Sequence, residues 1–136
     1  MRVNTVDALV QLSFRIQRIL TDCGTEHDLS IVQIRMLGVL RDRQPGMLEL
    51  GSHLGLDKSS TSGLVVRAER RGLVKRSPAP HDGRAVLVSL TPIGRAVTES
   101  CEAEISERIT ALTADLAPAE ADTLTALTAR LLAGES

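Results

Sequence analysis

The sequence predicts a mainly α-helical fold with one small β-hairpin. Six segments carry apolar residues at three- and four-residue spacing, as amphipathic helices do. One pair of neighbouring runs is instead rich in strand-forming residues, Leu73 to Arg76 and Ala85 to Leu90. A chain of 136 residues with 43% hydrophobic content can bury one ordinary core. We therefore expect a single domain over residues 1–136.

Three helices are predicted in the first half of the chain. The segment from Thr5 to Thr21 has an apolar stripe, and Gly24 is expected to end this first helix. The second helix begins at Ser30, because Ser30 and Gln33 have the spacing of a capping box, in which each side chain bonds the other residue's backbone amide. A polar, turn-rich stretch then reverses the chain before a short helix from Met47 to Gly55.

A fourth helix, the hairpin and two further helices follow. Asp57 can cap the fourth helix, which Gly72 ends. The two β-rich runs are joined by a long tip over residues 77–84. A long fifth helix opens at Pro92, behind an N-capping threonine, and a last helix follows Pro118. This order predicts a winged helix-turn-helix flanked by N- and C-terminal helices.

The charges are unevenly distributed along the chain, although the net charge is only −1. Residues 57–84 carry seven basic side chains against three acidic ones, a net charge of +4. Residues 99–136 carry two basic against eight acidic ones, a net charge of −6. The basic stretch indicates a face that attracts phosphates, and the acidic helical end is expected to stay away from them.

The composition excludes several classes of protein. A single aromatic residue, Phe14, leaves no stacking platform for single strands or RNA, so duplex is the favoured nucleic acid. Cys23 and Cys101 lack the spacing of zinc ligands and are too few for a disulfide framework, so no metal site is expected. The chain has no run of 18 apolar residues and no signal-peptide pattern, which predicts a soluble cytoplasmic protein without a membrane partner.

No catalytic constellation is recognisable. His27, His53 and His81 are far apart in the chain, no glycine-rich phosphate loop follows a strand, and no nucleophile lies in a known elbow context. The protein is therefore expected not to be an enzyme and to need no cofactor.

The start of the fourth helix is rich in small hydroxyl side chains, and a basic hairpin follows it. A helix fits the major groove of B-DNA, which is about 12 Å wide. Small side chains at the helix N-terminus let the backbone approach phosphates and base edges. Serine is a weak helix former, which makes a purely structural reason for these residues less attractive. Duplex DNA is the predicted ligand.

Three sequence blocks resemble the MarR family in order and spacing. They run from Leu50 to Ser62, from Glu69 to Arg76 and from Asp82 to Gly94, within a match that extends over most of residues 29–97. The most distinctive part is the Asp-x-Arg element of Asp82 and Arg84, which precedes an alternating strand and a Leu-Thr-x-x-Gly sequence.

This resemblance implies a sequence-specific, duplex-DNA-binding transcriptional regulator, expected to be a repressor. It implies a homodimer built from residues 1–24 and 92–136, with winged helix-turn-helix lobes over residues 29–91 that each read half of a near-palindromic operator. Arg84 would insert at or beside the minor groove, oriented by Asp82. The implied DNA contacts are Lys58, Ser59, Ser60, Thr61, Ser62, Arg67, Arg70, Lys75, Arg76, Asp82 and Arg84.

Two glycines depart from the family pattern. Gly63 stands where relatives commonly carry a basic or larger polar residue, which removes one base contact and costs about 1 kcal/mol of helix propensity relative to alanine. Gly83 replaces a charged residue at the wing tip. Base specificity is therefore expected to depend on the serines and on the rest of the wing.

The resemblance also raises regulation by a small molecule or an oxidant. Family members often release DNA when a small anionic or aromatic effector binds, and the candidate anion partners here are Arg15, Arg18, His27 and Arg35. Ser13 occupies the position expected for a peroxide-sensing thiol, but Cys23 could be oxidised if His27 or Arg18 lowered its pKa. Two alternatives thus stay open beside the DNA-binding repressor: a thiol-based redox sensor and a winged-helix module that binds protein.

Overall fold

The computed structural model describes residues 4–134, apart from the side chain of Asp82. Within this range it has six helices and a two-stranded antiparallel hairpin. In chain order the elements are α1 (Thr5–His27), α2 (Ile31–Leu40), α3 (Met47–Leu54), α4 (Lys58–Arg70), β1 (Val74–Ala79), β2 (Asp82–Leu90), α5 (Pro92–Leu112) and α6 (Pro118–Ala133). None of the helices in this part of the chain is long and apolar enough to cross a membrane.

The predicted helix starts at Ser30 and Asp57 are confirmed. The Gln33 amide donates to Ser30 Oγ at 3.2 Å and the Ser30 amide donates to Gln33 Oε1 at 2.9 Å, which is the expected capping box. Asp57 accepts from the Ser60 amide at 2.7 Å. At the other end of α4, Gly72 adopts the left-handed conformation, with a φ of 74°, that commonly terminates a helix.

Helix α1 is longer than predicted. Gly24 does not end it; the helix continues to His27, and Asp28 takes the left-handed conformation with φ 56°. The amides of Asp28 and Leu29 donate to carbonyls of the last turn, which closes the helix end. Gly24 is buried, and a Cβ there would overlap the carbonyl oxygen of Leu29. Glycine is therefore required at this position by the close approach of the Leu29 backbone, and not because the helix ends there.

The hairpin also differs from the prediction, because its strands are longer and its tip is shorter. The strands extend through Pro78 and Ala79 on one side and from Asp82 on the other, so the turn contains only Pro80 and His81. Proline lacks an amide donor and usually indicates a strand end, but each strand of a two-stranded sheet has a free edge where proline is tolerated. The register shifts between Pro78 and Ala79.

The core lies between α2, α3, α4, the base of the hairpin and the middle of α5. Ile34, Leu37 and Leu40, which recur every three residues along α2, are buried. The hairpin is attached to the α2–α3 loop, because the Val88 amide donates to the Pro45 carbonyl at 2.9 Å. The largest fully buried side chains are Met36, Leu37, Leu40, Leu50, Leu64, Val65, Val88, Thr61, Pro45 and Cys23.

The terminal helices present apolar side chains to solvent. Helix α6 has no buried residue, and the first half of α1 is exposed. The fifth helix ends at Leu112, and Ile93 at its start is 62% exposed. The exposed apolar residues of α1 and of the α6 region are Val6, Leu9, Val10, Leu12, Phe14, Leu116, Leu124, Leu127, Leu131 and Leu132.

Candidate nucleic-acid interface

Helices α3 and α4 pack closely at one glycine. A Cβ on Gly51 would lie 2.8 Å from Thr61 Oγ1 and 3.1 Å from the Leu56 carbonyl oxygen. Thr61 is only 1% exposed, and its hydroxyl donates to the Asp57 carbonyl at 2.8 Å. The prediction that Thr61 contacts DNA is therefore wrong. Thr61 lies on the inner face of α4 with Leu64, one turn later, because residues three or four apart share a helix face.

The opposite face of α4 is polar and cationic. Lys58, Ser59 and Ser60 are exposed in its first turn, and Ser62 is half-buried. The backbone N–H of Ser60 holds the pKa of the Asp57 carboxyl below its usual range, so the cap remains ionised. The serine side chains therefore lie beside a capped helix start, where their hydroxyls can donate hydrogen bonds to an approaching ligand or accept them from it.

Two arginines continue this face toward the end of α4. Arg67 and Arg70 are both exposed. A Cβ on Gly63 would lie 3.3 Å from Arg67 Nη1, so the guanidinium lies over the glycine. Because Gly63 has no side chain, the Arg67 guanidinium can lie against the helix surface at this position. The resemblance to the family did not indicate this contact.

The hairpin presents further cations next to α4. Lys75 and Arg84 are exposed on β1 and β2. Arg76 is 43% exposed but forms an ion pair with Glu69 of α4 at 2.8 Å, which ties the wing to the helix. The side chain of Asp82 lies outside the described part of the structure, so its predicted role in orienting Arg84 stays a prediction.

Arg71 connects the end of α4 to the end of α1. Its Nη1 donates to the Asp28 carbonyl at 2.6 Å and its Nη2 donates to the His27 carbonyl at 2.8 Å. Sequence reasoning counted Arg71 only as part of the basic stretch. Nothing in the local sequence marks it as an anchor, because its partners lie more than forty residues earlier in the chain.

Comparison with known proteins decides the family. A family model described as "MarR family" matches residues 27–85. A crystal structure of a probable transcriptional regulator from Pseudomonas aeruginosa is 34% identical, with 94% of this chain and 96% of that chain covered and a TM-score of 0.76. Apo wild-type MarR from E. coli is 26% identical, with 97% and 98% covered and a TM-score of 0.80.

The chain belongs to the MarR family. NicR of Pseudomonas putida, an HTH-type transcriptional repressor, is 37% identical over 83 residues, which are 58% of this chain and 52% of NicR. The chain thus matches about half of the length of this curated relative. The predicted family and the winged helix-turn-helix fold are confirmed. The prediction that the chain is not an enzyme is also supported, because the MarR family consists of transcriptional regulators.

The four candidate effector residues of this MarR-family chain do not form one site. Arg15 and Arg18 line a cavity of about 390 Å³ together with Arg108. Arg35 lines a separate cavity of about 410 Å³ on the side of α2 and α3. His27 lies at the end of α1, where its carbonyl is bound by Arg71. The sequence could not separate them because it did not fix which side of each helix faces its neighbours.

Cys23 is not an activated thiol. It is fully buried, and its Sγ donates to the Cys101 carbonyl oxygen at 3.7 Å. Burial raises the pKa of Cys23 to about 12, so the condition for its oxidation, a pKa lowered by His27 or Arg18, is not met. Cys101 is 4% exposed and belongs to the core, as its position on the apolar stripe predicts.

The fold nevertheless brings metal-ligating atoms together where no ligand spacing was recognised. One ligand atom each of Cys23, His27 and Cys101 lies within 4.8 Å of the others. Cys23 and His27 are four residues apart on α1, a spacing that places both on one helix face. This signal was missed because the predicted first helix ended at Thr21, and because Cys101 joins the group only through tertiary packing.

Proposed function

We propose that this MarR-family chain is a transcriptional regulator that binds duplex DNA with α4 in the major groove and the hairpin at the neighbouring minor groove. The observation that carries the proposal is the exposed serine and arginine face of α4, continuous with cations of the hairpin. Its contact set is Lys58, Ser59, Ser60, Ser62, Arg67, Arg70, Lys75, Arg76, Asp82 and Arg84, of which Arg76 also forms the ion pair with Glu69.

The residue types on this face suit different parts of a duplex. Arginine presents a planar fork of donors that suits phosphate oxygens and guanine edges, and lysine acts as a compact charge. Serine hydroxyls can bond either base edges or phosphates. We assign Lys58 and Lys75 to phosphates and the α4 serines to base edges, with Arg84 in the minor groove.

We further propose that the active unit is a homodimer formed through α1, α5 and α6, within residues 1–24 and 92–136, with residues 29–91 forming the DNA-binding lobe. The exposed apolar faces of α1 and α6 support this, since large exposed apolar patches usually mark an interaction surface. A two-fold dimer presents two copies of α4, so its operator is near-palindromic.

The regulator is proposed to act as a repressor, because the relative NicR is named a transcriptional repressor. A cytoplasmic location is part of the same proposal. A small anion that binds the cavity beside Arg15 and Arg18 is the proposed effector, with Arg108 as a third cation. This cavity lies between α1 and the end of α5, so a ligand there can change how the dimer helices support the lobe.

The test is fluorescence anisotropy of a labelled duplex taken from upstream of the protein's own gene, against a scrambled duplex, over a salt series. Tighter binding to the upstream duplex with a steep fall of affinity as salt rises is the expected result, because each neutralised phosphate contributes about −0.9 to the slope of log K against log salt. Weak binding that is equal for both duplexes and nearly independent of salt would instead favour a winged-helix module that binds protein.

A further inference from the structure

The contact region of α1 and α5 contains a cluster of metal-ligating side chains. Cys23 and His27 come from consecutive turns near the end of α1, and Cys101 comes from the middle of α5. One ligand atom from each lies within 4.8 Å of the other two. Both cysteines are buried, and His27 is half-buried. The cluster therefore offers two sulfur atoms and one imidazole nitrogen in an enclosed position.

A second group of ligand atoms overlaps the first at His27. Carboxylate oxygens of Glu26 and Glu104 lie within 4.8 Å of each other and of a His27 ring nitrogen. In the described range, no lysine or arginine lies within 4.0 Å of either carboxylate; the neighbouring Arg108 pairs with Asp22 at 2.9 Å. Two carboxylates facing each other repel, and a bound cation would relieve that repulsion.

We propose that Cys23, His27 and Cys101 bind a Zn²⁺ ion between α1 and α5, with Glu104 as the fourth ligand. Two sulfurs, an imidazole nitrogen and a carboxylate oxygen are ligands that Zn²⁺ takes in tetrahedral protein sites. Metal–ligand distances of about 2.0 to 2.3 Å place neighbouring ligand atoms roughly 3.6 Å apart. The ligand atoms of Cys23, His27 and Cys101 now lie within 4.8 Å of one another, so they would have to approach by about 1 Å to reach that spacing.

Binding replaces thiol protons with the metal. Each cysteine loses the proton on Sγ as its sulfur coordinates Zn²⁺, so one ion displaces two protons to solvent while His27 coordinates in its neutral form. No electron is transferred. The same thiols that burial keeps protonated and inert in the free protein therefore become ligands only when a metal supplies the compensating charge.

The test uses the full-length chain, reduced and stripped of metal by a chelator that is then removed. Isothermal titration with ZnCl₂ should give one ion per chain, and titration with Co²⁺ should give the intense absorption of a tetrahedral site with thiolate ligands. His27→Ala and Glu104→Gln should weaken Zn²⁺ binding by at least tenfold, since loss of even an outer-shell partner costs about 10- to 100-fold. His81→Ala, at the exposed hairpin tip, is the matched control and should bind as the unaltered protein does.

Three results would overturn the proposal. One is a Co²⁺ spectrum without thiolate bands, and another is equal Zn²⁺ affinity in the His27→Ala variant and the unaltered chain. The third is a chain in which Cys23 and Cys101 are joined as a disulfide and no Zn²⁺ binds after reduction. His27 and Glu104 are partly exposed, so their variants should fold, and circular dichroism checks this before titration. None of these readouts involves DNA, so the outcome is independent of the proposed regulator function.

Discussion

Arg84 is the side chain on the wing whose removal should affect DNA affinity most directly. Arg84→Ala is expected to weaken operator binding by about 1 to 3 kcal/mol and to lower the salt slope by about one, because a groove contact and its released counterion are lost. Anisotropy titrations at two salt concentrations measure both quantities. Arg35→Ala, on α2, removes the same charge outside both the proposed DNA contacts and the proposed dimer helices, and should leave both unchanged. Equal affinity of the Arg84→Ala variant and the unaltered chain would refute the wing assignment.

Substitution of Gly63 by alanine should change stability and DNA affinity in opposite directions. Gly63→Ala is expected to raise the free energy of unfolding by up to about 1 kcal/mol, because alanine is the better helix former. The new Cβ lies 3.3 Å from Arg67 Nη1, so the exposed guanidinium must shift slightly, and DNA affinity should fall. Urea denaturation and anisotropy measure the two effects.

Gly94→Ala is the contrasting variant. Gly94 is buried at the start of α5, and a Cβ there would overlap the Leu73 carbonyl, so this substitution should destabilise the fold strongly. A Gly63→Ala protein that is as unstable as Gly94→Ala would contradict the account of Gly63.

Single residues were predictable where the chemistry is local. The capping pairs of Ser30 and Asp57 follow from short-range hydrogen bonds, so the sequence indicates them directly. Thr61 was assigned to the wrong face of α4, because it was grouped with the serines that flank it in the sequence. Its helical spacing to Leu64 and Ala68 places it on the buried face with them. The contact partners of Arg71 and Cys101 could not be predicted, since they are defined only by the packing of distant segments.

The start of α4 should make the stability of the protein depend on pH at the acid end. The Asp57 carboxyl has a lowered pKa in the folded chain and about 3.9 when unfolded. Its ionised form therefore stabilises the fold above pH 4, and this contribution is lost as pH falls through the lower folded value. Asp57→Asn keeps a capping oxygen but cannot ionise.

The measurement is thermal unfolding of the Asp57→Asn variant and the unaltered chain at pH 7 and near pH 3. The unaltered chain should unfold at the higher temperature at pH 7, and the difference should shrink at the acid pH. A difference of the same size at both pH values would show that the charge of Asp57 does not stabilise α4.

Helices and strands were predicted in the correct order, and their errors have physical causes. Glycine and proline were taken as endings, but Gly24 lies within α1 because the Leu29 backbone approaches it, and Pro78 lies within β1 because that strand has a free edge. Glycine and proline each restrict or permit particular backbone conformations, but the tertiary contacts around them decide whether the helix or strand ends there. Element existence was thus easier to predict than element bounds.

At the scale of the whole molecule, α6 should be required for assembly. Deleting the residues after Leu116 is expected to give a monomer or an aggregate, because it removes one apolar face and uncovers the surface that this face would cover. Size-exclusion chromatography with light scattering measures the mass. Deletion of the last two residues alone is the control. A truncated chain that remains a stable, DNA-binding dimer would contradict the proposed dimer surface.

The sequence could not predict how distant segments meet. The apolar stripes of α1 and α6 were visible in the sequence, but periodicity alone does not tell whether such a stripe packs into the core of its own chain or is exposed, as both are here. The effector candidates were chosen by charge alone, and the fold separates Arg35 from Arg15 and Arg18. The Cys23, His27 and Cys101 cluster depends on contact between α1 and α5, which periodicity does not encode.

The most direct test of the central claim is hydroxyl-radical footprinting of the protein on the duplex upstream of its gene. A dimer with α4 of each subunit in the major groove should protect two symmetric patches of the duplex. The patches should lie one helical turn of DNA apart, roughly 34 to 36 Å, or a whole multiple of that distance. That result would establish two-fold recognition by α4 and the wing. The protein should be added in low salt at concentrations well above those needed to bind the duplex. Uniform cleavage of the duplex under those conditions would contradict the account.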